Sequence, residues 1–340
     1  MPKPAFPITD AALNQAQHWL ETNSGGIFAH LLFMGDKHLL YAAEGRCLIQ
    51  YKPIRNRIVA LGDPIGAEED YGRALLEFRD FADRHDLDPV CYEVAHKHLH
   101  LYHDCGFALF KIGEMGQVLI NEFTVSGQRN QSLRGAVNRA IREGLTLELL
   151  QPPVNEMIWA QLKIISDAWL HARSASEKSF SLGAFERDYL SRSPLFLVRK
   201  GQQIIAFSNL TPSYQGRQEL SVDLMRHLPN APYGTMDFLF TRIIEWGRDE
   251  GYIWFNLGMA PLSGVGNIRY ARPDERLARL AYDYGSHLYN YKGLRSFKEK
   301  FHPIWESRYI AYPLSRSLPQ LLVDLAALIA GGYRQILTKP

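Results

Sequence analysis

The chain is poor in cysteine and has almost no excess charge of either sign. Its 340 residues hold only Cys47, Cys91 and Cys105, an odd, sparse set that frames no disulfide scaffold and fits a reducing cytosolic compartment. Thirty-eight Lys and Arg stand against 36 Asp and Glu, a formal charge of +2. That excludes the global signature of a nucleic-acid-binding protein and leaves only local patches for such a role. No apolar run reaches the roughly 20 residues that a bilayer-crossing helix needs, and Met1-Pro-Lys-Pro-Ala-Phe-Pro lacks the apolar stretch of a secretory signal. Core-forming residues are ample. With 46% hydrophobic and 12% aromatic residues, disorder and collagen-like repetition are excluded, and the length suggests two domains at roughly 150 residues each.

Periodicity and turn residues predict alternating strands and helices. In the first half a helix is expected over 11–23, then strands at 28–34, 38–43, 46–52 and 57–61. A helix over 69–85, a strand at 89–94, a short helix at 98–105 and strands at 108–110 and 117–122 follow. The second half repeats this order: a helix over 156–172, strands at 195–200, 203–210 and 218–223, a helix over 236–250 and a strand at 252–257. Another short helix and a strand near 308–312 end it. Leu101-Tyr102…Gly106-Phe107 and Leu288-Tyr289…Gly293-Leu294 share an L-Y-x-x-x-G-apolar pattern in equivalent places. A duplicated α/β fold follows from the two together.

Several motifs carry chemistry in appearance only. His96, His100 and His103 share a helix face, but no carboxylate or cysteine nearby completes a metal site. His103-Asp104-Cys105 has the composition of a catalytic triad, yet consecutive helical residues point about 100° apart. Gly264-Val-Gly266 has Arg269 where a dinucleotide fingerprint needs its third glycine.

Other residues are better placed. Asp223 and Arg226 stand at the end of a strand, before a Pro/Gly loop and a helix beginning near Thr235, where α/β folds seat ligands. A salt bridge between the two is the plainer alternative. Asn256 ends a buried strand, where an amide needs a specific partner. From Gly285 to Pro340 eight basic residues face three acids, a local +5, with Lys292, Arg295, Lys298 and Lys300 closely spaced; such a segment suits phosphates. A helix following Ser126 carries Arg129, Arg134, Arg139 and Arg142, either as a solvated face or as an anion-facing one. The apolar tail 318–337, broken by Asp324 and Gly331-Gly332, packs on the body or lies in a membrane interface.

Four of these stretches, 221–226, 231–240, 255–263 and 291–301, resemble the cytosolic catalytic domain of bacterial aminoacyl-phosphatidylglycerol synthases, the multiple peptide resistance factor family. Glu122-Phe-Thr-Val-Ser-Gly-Gln128, the Arg-rich helix after it and Lys178-Ser-Phe-Ser-Leu-Gly183 are similar to the same family. The resemblance spans about 300 residues and is strongest to the alanyl-transferring type. It implies a tandem duplicated GNAT-like fold: two mixed sheets flanked by helices, with domains at 1–127 and 145–313, a basic connecting helix at 128–144 and an amphipathic helix at 314–340. It further implies transfer of an amino acid, expected to be alanine, from aminoacyl-tRNA to the glycerol hydroxyl of phosphatidylglycerol. Such transfer changes membrane charge and resistance to cationic antimicrobials, and works at the cytoplasmic face of the inner membrane beside an upstream transmembrane region. Lysine as the amino acid, a peptidoglycan-type aminoacyl-tRNA transferase and a non-enzymatic anionic-membrane module are the alternatives.

Within that implied chemistry no cofactor and no metal are expected. The pyrophosphate loop of ordinary acetyltransferases is replaced here by Arg226-His-Leu-Pro-Asn-Ala-Pro-Tyr-Gly234, with one Gly and two Pro, which argues against coenzyme A. Asp223, Arg226 and Lys298 become the expected catalytic residues. Asp237, Asn256, Ser263, Lys292 and Arg295 are expected to bind substrate. Arg129, Arg134, Arg139, Arg142 and Arg316 are expected to meet tRNA or lipid phosphate.

Overall fold

The computed structural model describes residues 9–23, 25–173, 175–212, 214, 216–267, 269–271, 273, 275, 276, 279 and 291–337. Leu288, Tyr289 and Asn290 of the second L-Y-x-x-x-G element, and Lys339 of the basic segment, lie outside them.

Helix α1 (Asp10–Thr22) begins where the Thr9 hydroxyl accepts the Ala12 N–H and buries Leu13, Ala16 and Leu20 along one face. The apolar run after it, expected as a strand, is a 3-10 helix, Ile27–Met34, with six of its residues buried. A run buried nearly all round has no period to distinguish the two forms. There follow β1 (His38–Ala42), β2 (Cys47–Ile54), β3 (Arg57–Leu61), β4 (Ile65–Gly66), α2 (Tyr71–Arg84), β5 (Asp88–Ala95), α3 (Leu99–Asp104) and β6 (Phe107–Leu119). The two strands expected at 108–110 and 117–122 are therefore one, since a strand in the middle of a sheet tolerates the polar residues between them.

The second half comprises α4 (Gln131–Arg142), β7 (Leu145–Leu150), α5 (Glu156–Ala172), α6 (Arg187–Leu190), β8 (Leu195–Lys200), β9 (Gln203–Pro212), β10 (Glu219–His227), α7 (Thr235–Asp249), β11 (Trp254–Pro261), α8 (Tyr291–Glu299), β12 (Ile304–Pro313), α9 (Leu318–Ala330) and α10 (Tyr333–Leu337).

All twelve strands of the described residues join one sheet in the order β1-β2-β3-β5-β12-β6-β11-β10-β9-β8-β7, with β4 pairing β2. The two mixed sheets of the expectation are thus fused edge to edge. Among the described residues only β3–β5 and β10–β11 are parallel pairs, the remaining pairs being antiparallel. Apart from β7 at one edge, the order reads the same from either end: β1-β2-β3-β5 is continued by β12, and β8-β9-β10-β11 by β6. Each half has given its last strand to the other. The exchange sets β6 against β12 over ten residue pairs, Phe107–Gln117 against Ile304–Pro313.

The sheet carries one shared core and two private ones. On one face, residues of both halves pack together, among them Phe33, Leu61, Phe110, Trp159, Phe207, Ile310 and Leu325. On the other, α2 and α3 cover a core around Phe78 and Tyr102, while α4 and α7 cover another around Phe240 and Phe255. Helix α9 belongs to the shared core: Leu318, Leu321, Leu325 and Leu328 are buried. Asp324, read from sequence as an interruption, is the helix's fully buried anchor, held by Arg57 and by the Tyr333 hydroxyl, with Arg55 at 3.6 Å. Packing on the body is what the tail does. No helix among the described residues is long and apolar enough to cross a membrane.

Candidate active site

Strands β10 and β11 pair only over Glu219–Ser221 and Trp254–Asn256. Beyond that, β10 slips against β9 between Val222 and Met225, and β11 slips against β6 between Asn256 and Met259. Bulges of this kind end pairing and re-aim side chains. Val222 packs with the core of one face and Leu224 with that of the other. Asp223 stands between them, at the lip of the splay.

The Asp223 carboxylate accepts the Gly183 N–H at 3.0 Å and the Tyr189 hydroxyl at 2.8 Å. Burial raises its pKa above the ordinary carboxylate range, against the Gly183 and Tyr189 hydrogen bonds and the positive charges of Lys37 and Arg226. The plainer alternative, a salt bridge between Asp223 and Arg226, is not what forms. Arg226 is buried and forks onto Glu177 at 2.8 and 2.5 Å, donates to the Ser166 hydroxyl, and lies over the Trp169 ring at 5.4 Å. A guanidinium so engaged holds its neighbours in place; its fork is not open to a phosphate.

Glu177 begins a strap that ends at Phe185, and all parts of the molecule grip it. Ser179 donates its N–H to Ile329 and its hydroxyl to Leu328, both on α9, at 3.0 and 2.9 Å. Phe180 gives its N–H to Asp36 and its carbonyl to the Lys37 ammonium, at 3.0 and 2.9 Å. The Lys37 side chain is completely buried, 2.6 Å from Asp36, which also meets Lys52 at 2.9 Å. Burial pushes Asp36 up, yet the two ammoniums outweigh it and leave its pKa at about 2. The strap's last grip is Gly183 on Asp223. A Cβ at Gly183 would stand 1.9 Å from Asp223 Oδ2 and 2.8 Å from the Tyr189 ring. Only glycine fits.

On the opposite lip, Lys298 reaches in from α8 and donates to the Met259 carbonyl at 2.7 Å, beside Gly258, whose φ is +75°. Asn256 accepts the Gly258 N–H at 2.7 Å and donates to Glu219 at 2.8 Å and to the Met115 sulfur at 3.0 Å. Glu219 also takes Gln117, at 2.7 Å, and Arg308 reaches the same sulfur at 3.1 Å. A row of polar side chains therefore crosses β10, β11, β6 and β12. The buried amide does have the specific partners its position requires.

The remaining expected residues are dispersed. Asp237 lies in the first turn of α7, buried and paired with Lys300 at 2.8 Å. Ser263 donates to Glu114 at 2.9 Å, and Arg295 joins both while stacking on Trp305 at 3.9 Å. Lys292 and Arg295 line an open cleft of about 540 Å³ with Ser296 and Glu299. Arg139 pairs with Glu143 and Arg316 with Asp88, while Arg134 donates to the Val125 and Gly127 carbonyls. Arg142 bonds its own helix at Asn138, and Arg129 is exposed. The +5 of the C-terminal segment is accordingly not a surface patch: Lys298 and Arg308 are buried, and Arg295, Lys300 and Arg316 each meet an acid.

Two features bear on donor chemistry. The start of α7 is covered by α4; a Cβ at Gly234, just before α7, would meet the Ala136 carbonyl at 2.9 Å. The first half's own parallel pair, β3–β5, is plugged. Asp63 accepts the Tyr102 hydroxyl at 3.0 Å and the Ala95 N–H at 3.1 Å, with His98 at 3.2 Å. This splay is filled by the first half's own side chains.

Sequence reading missed Glu177 and Tyr189, whose roles depend on the strap, and Glu93, in β5. The signal for Glu93 was present: an acid inside the apolar run Val90-Cys-Tyr-Glu-Val-Ala95, where a buried carboxylate needs a reason.

Two sheets fused through exchanged last strands define a tandem GNAT-like chain. The chain matches the family described as phosphatidylglycerol lysyltransferase, C-terminal, over residues 17–312, and it belongs to that family. It is 38% identical over 312 residues to a phosphatidylglycerol lysyltransferase of Bacillus subtilis and 34% identical over 307 to one of Staphylococcus haemolyticus. It covers 92% and 90% of itself in these matches but only 36% of each relative's length. The solved structure of L-PGS from Bacillus licheniformis superposes with a TM-score of 0.82 at 38% identity, covering 93% of this chain and 96% of that one. FemX, at 11% identity and a TM-score of 0.57, covering 92% of this chain and 97% of its own, shares the fold.

Proposed function

We propose that the chain transfers an amino acid from aminoacyl-tRNA to the glycerol hydroxyl of phosphatidylglycerol, at the cytoplasmic face of a membrane. The observation that carries this reading is the family match across nearly the whole chain, joined to the Asp223 carboxylate at the β10–β11 splay. For the amino acid we propose lysine. The sequence resemblance pointed to alanine, but the relatives are named lysyltransferases.

The reaction exchanges one ester for another. The acceptor hydroxyl oxygen bonds to the aminoacyl carbonyl carbon, the bond to the tRNA ribose oxygen breaks, and the acceptor's proton ends on that ribose oxygen. Asp223, with two of its acceptor positions filled by Gly183 and Tyr189, has others left for the α-ammonium of the amino acid. Lys298 is the cation nearest the opposite lip and is suited to the developing oxyanion or to lipid phosphate. Arg226 acts by fixing the strap. Ser263 and Arg295, tied to Glu114, shape the outer cleft where Lys292 supplies exposed charge.

Incubation with tRNAs charged separately with lysine and alanine, phosphatidylglycerol vesicles, and identification of the lipid product tests the reading. Lysyl-phosphatidylglycerol is expected. Alanyl product would correct the amino acid, muropeptide modification would correct the acceptor, and vesicle binding without transfer would overturn the enzyme.

A further inference from the structure

Asn209 is a fully buried amide near the end of β9, inside the run Ile204-Ile-Ala-Phe-Ser-Asn-Leu210. An amide in the interior of a sheet needs a partner that the regular ladder does not supply. The pairing shows which. Val222 pairs with Leu210 and Met225 with Ser208, so two residues of β10, Asp223 and Leu224, stand against one of β9, Asn209. A bulge of this kind leaves backbone of the longer strand without its rung, and a buried N–H left unmatched is costly. Here the Asn209 Oδ1 accepts the Leu224 N–H at 2.9 Å. A side chain completes the rung that the backbone skips.

The opposite lip is built by the same chemistry. Asn256 pairs with Gln117 and Met259 with Met115, which leaves Leu257 and Gly258 of β11 against Gly116 of β6. The Asn256 Oδ1 accepts the Gly258 N–H at 2.7 Å. Between the two bulges the β10–β11 ladder stops at Ser221 and Asn256, where the Ser221 hydroxyl donates to the Asn256 carbonyl at 2.8 Å.

The groups that flank the opening follow from these two irregularities. Asp223 is one of the two residues that the first bulge sets free, and Gly183 and Tyr189 bond its carboxylate at 3.0 and 2.8 Å. The Met259 carbonyl, which accepts the Lys298 ammonium at 2.7 Å, comes directly after the second. Packing asks for the reversal of faces, since Val222 joins one core and Leu224 the other. The Asn209 oxygen satisfies the N–H that the reversal releases, one residue from Asp223.

We propose that Asn209 is a positioning residue of the site: its amide oxygen pins the β10 bulge and so fixes the aim of the Asp223 carboxylate, as Asn256 pins the facing bulge beside Lys298. Asn209 acts through Asp223 and not on substrate. The effect on acyl transfer rests on the function proposed above; the pinning of the bulge does not.

Two readouts on the whole chain separate these. Asn209→Leu nearly keeps the size of the side chain and removes the oxygen. By hydrogen exchange the Leu224 amide should then exchange about tenfold faster or more, measured against the Ile243 amide in the middle of α7. An unchanged ratio overturns the proposal. In the lipid transfer assay a double-mutant cycle tells positioning from mere support. Asn209→Leu should lower transfer about tenfold or more where Asp223 is present, and less than about twofold in an Asp223→Asn background, where no carboxylate is left to aim. Equal loss in both backgrounds overturns the proposal. Should Asn209→Leu not fold, Asn209→Ala carries both readouts with the same expected and opposing results. Absence of transfer by the unmodified chain would sink the proposed function, and exchange at Leu224 would still decide whether the amide pins the bulge.

Discussion

At the scale of single residues the site trades stability for charge. The folded Asp223 carboxyl binds its proton more tightly than the unfolded one, because burial dominates its surroundings. Its favourable contribution therefore exists below the unfolded pKa and disappears as pH rises through the folded one. Asp223→Asn should raise the melting temperature at pH 7 while lowering transfer about 100-fold or more, read by thermal unfolding and by lipid product. The buried polar positions Asp223 and Asn256 were conspicuous in the sequence because each stands at the end of an apolar strand, whereas Lys298 was picked out only as one of a run of basic residues. Arg226 was legible as a position but not as a role, since its partner Glu177 lies in a segment with no periodicity. Glu93 stayed hidden for a related reason: it sits at a register shift between β5 and β12, and strands so far apart in the chain leave no local trace of how they pair.

At the scale of elements, the strap from Glu177 to Phe185 couples α9, the first half and the splay through short contacts made largely by its backbone. Gly183→Ala must push Asp223 or Tyr189 aside, and overpacking of this kind costs about 1–3 kcal/mol. The variant should be less stable by that amount in denaturant titration and should lose transfer, while Leu182→Ala, at an exposed neighbour, should change neither. Acid should release the same element. Asp36 is depressed to about 2 from an ordinary 3.8, so its contribution is complete above that ordinary value and is lost as pH falls toward the folded one. Hydrogen exchange at Phe180 should rise across that window, and Asp36→Asn, which strands the buried Lys37 charge, should cost about 3–5 kcal/mol at pH 7. The helix at 156–172 and the strands at 57–61 and 195–200 were foreseen to the residue, whereas β7 was not foreseen and β10, β11 and β12 each run four residues past an expected end. The run 27–34 was not, being apolar without a period, and the strap offered nothing to periodicity because its structure is dictated by what grips it.

At the scale of the whole molecule, the duplication was readable and the fusion was not. Repetition of element order is a property of the sequence, whereas the exchange of β6 and β12 depends on which edges meet. The net charge of +2 reads differently once the ion pairs are known, since Lys298 and Arg308 of the C-terminal segment are buried and Arg295, Lys300 and Arg316 each meet an acid. Residues 1–144 and 145–340 made as separate chains should each be poorly soluble, because each lacks the strand that completes its sheet. Made together they should co-purify as one species with cooperative melting. Two independently stable, soluble halves would contradict the exchange as the basis of the fold.

The exchanged strands also order events during synthesis. A ribosome adding roughly 5–20 residues per second has released β5 and β6 long before Ile304 exists, so the nascent first half waits with the flank of β5 unpaired. Hydrogen-bonding groups exposed along such a flank invite pairing with any other extended chain. A message truncated before β12 would thus yield not half an enzyme but a sticky fragment.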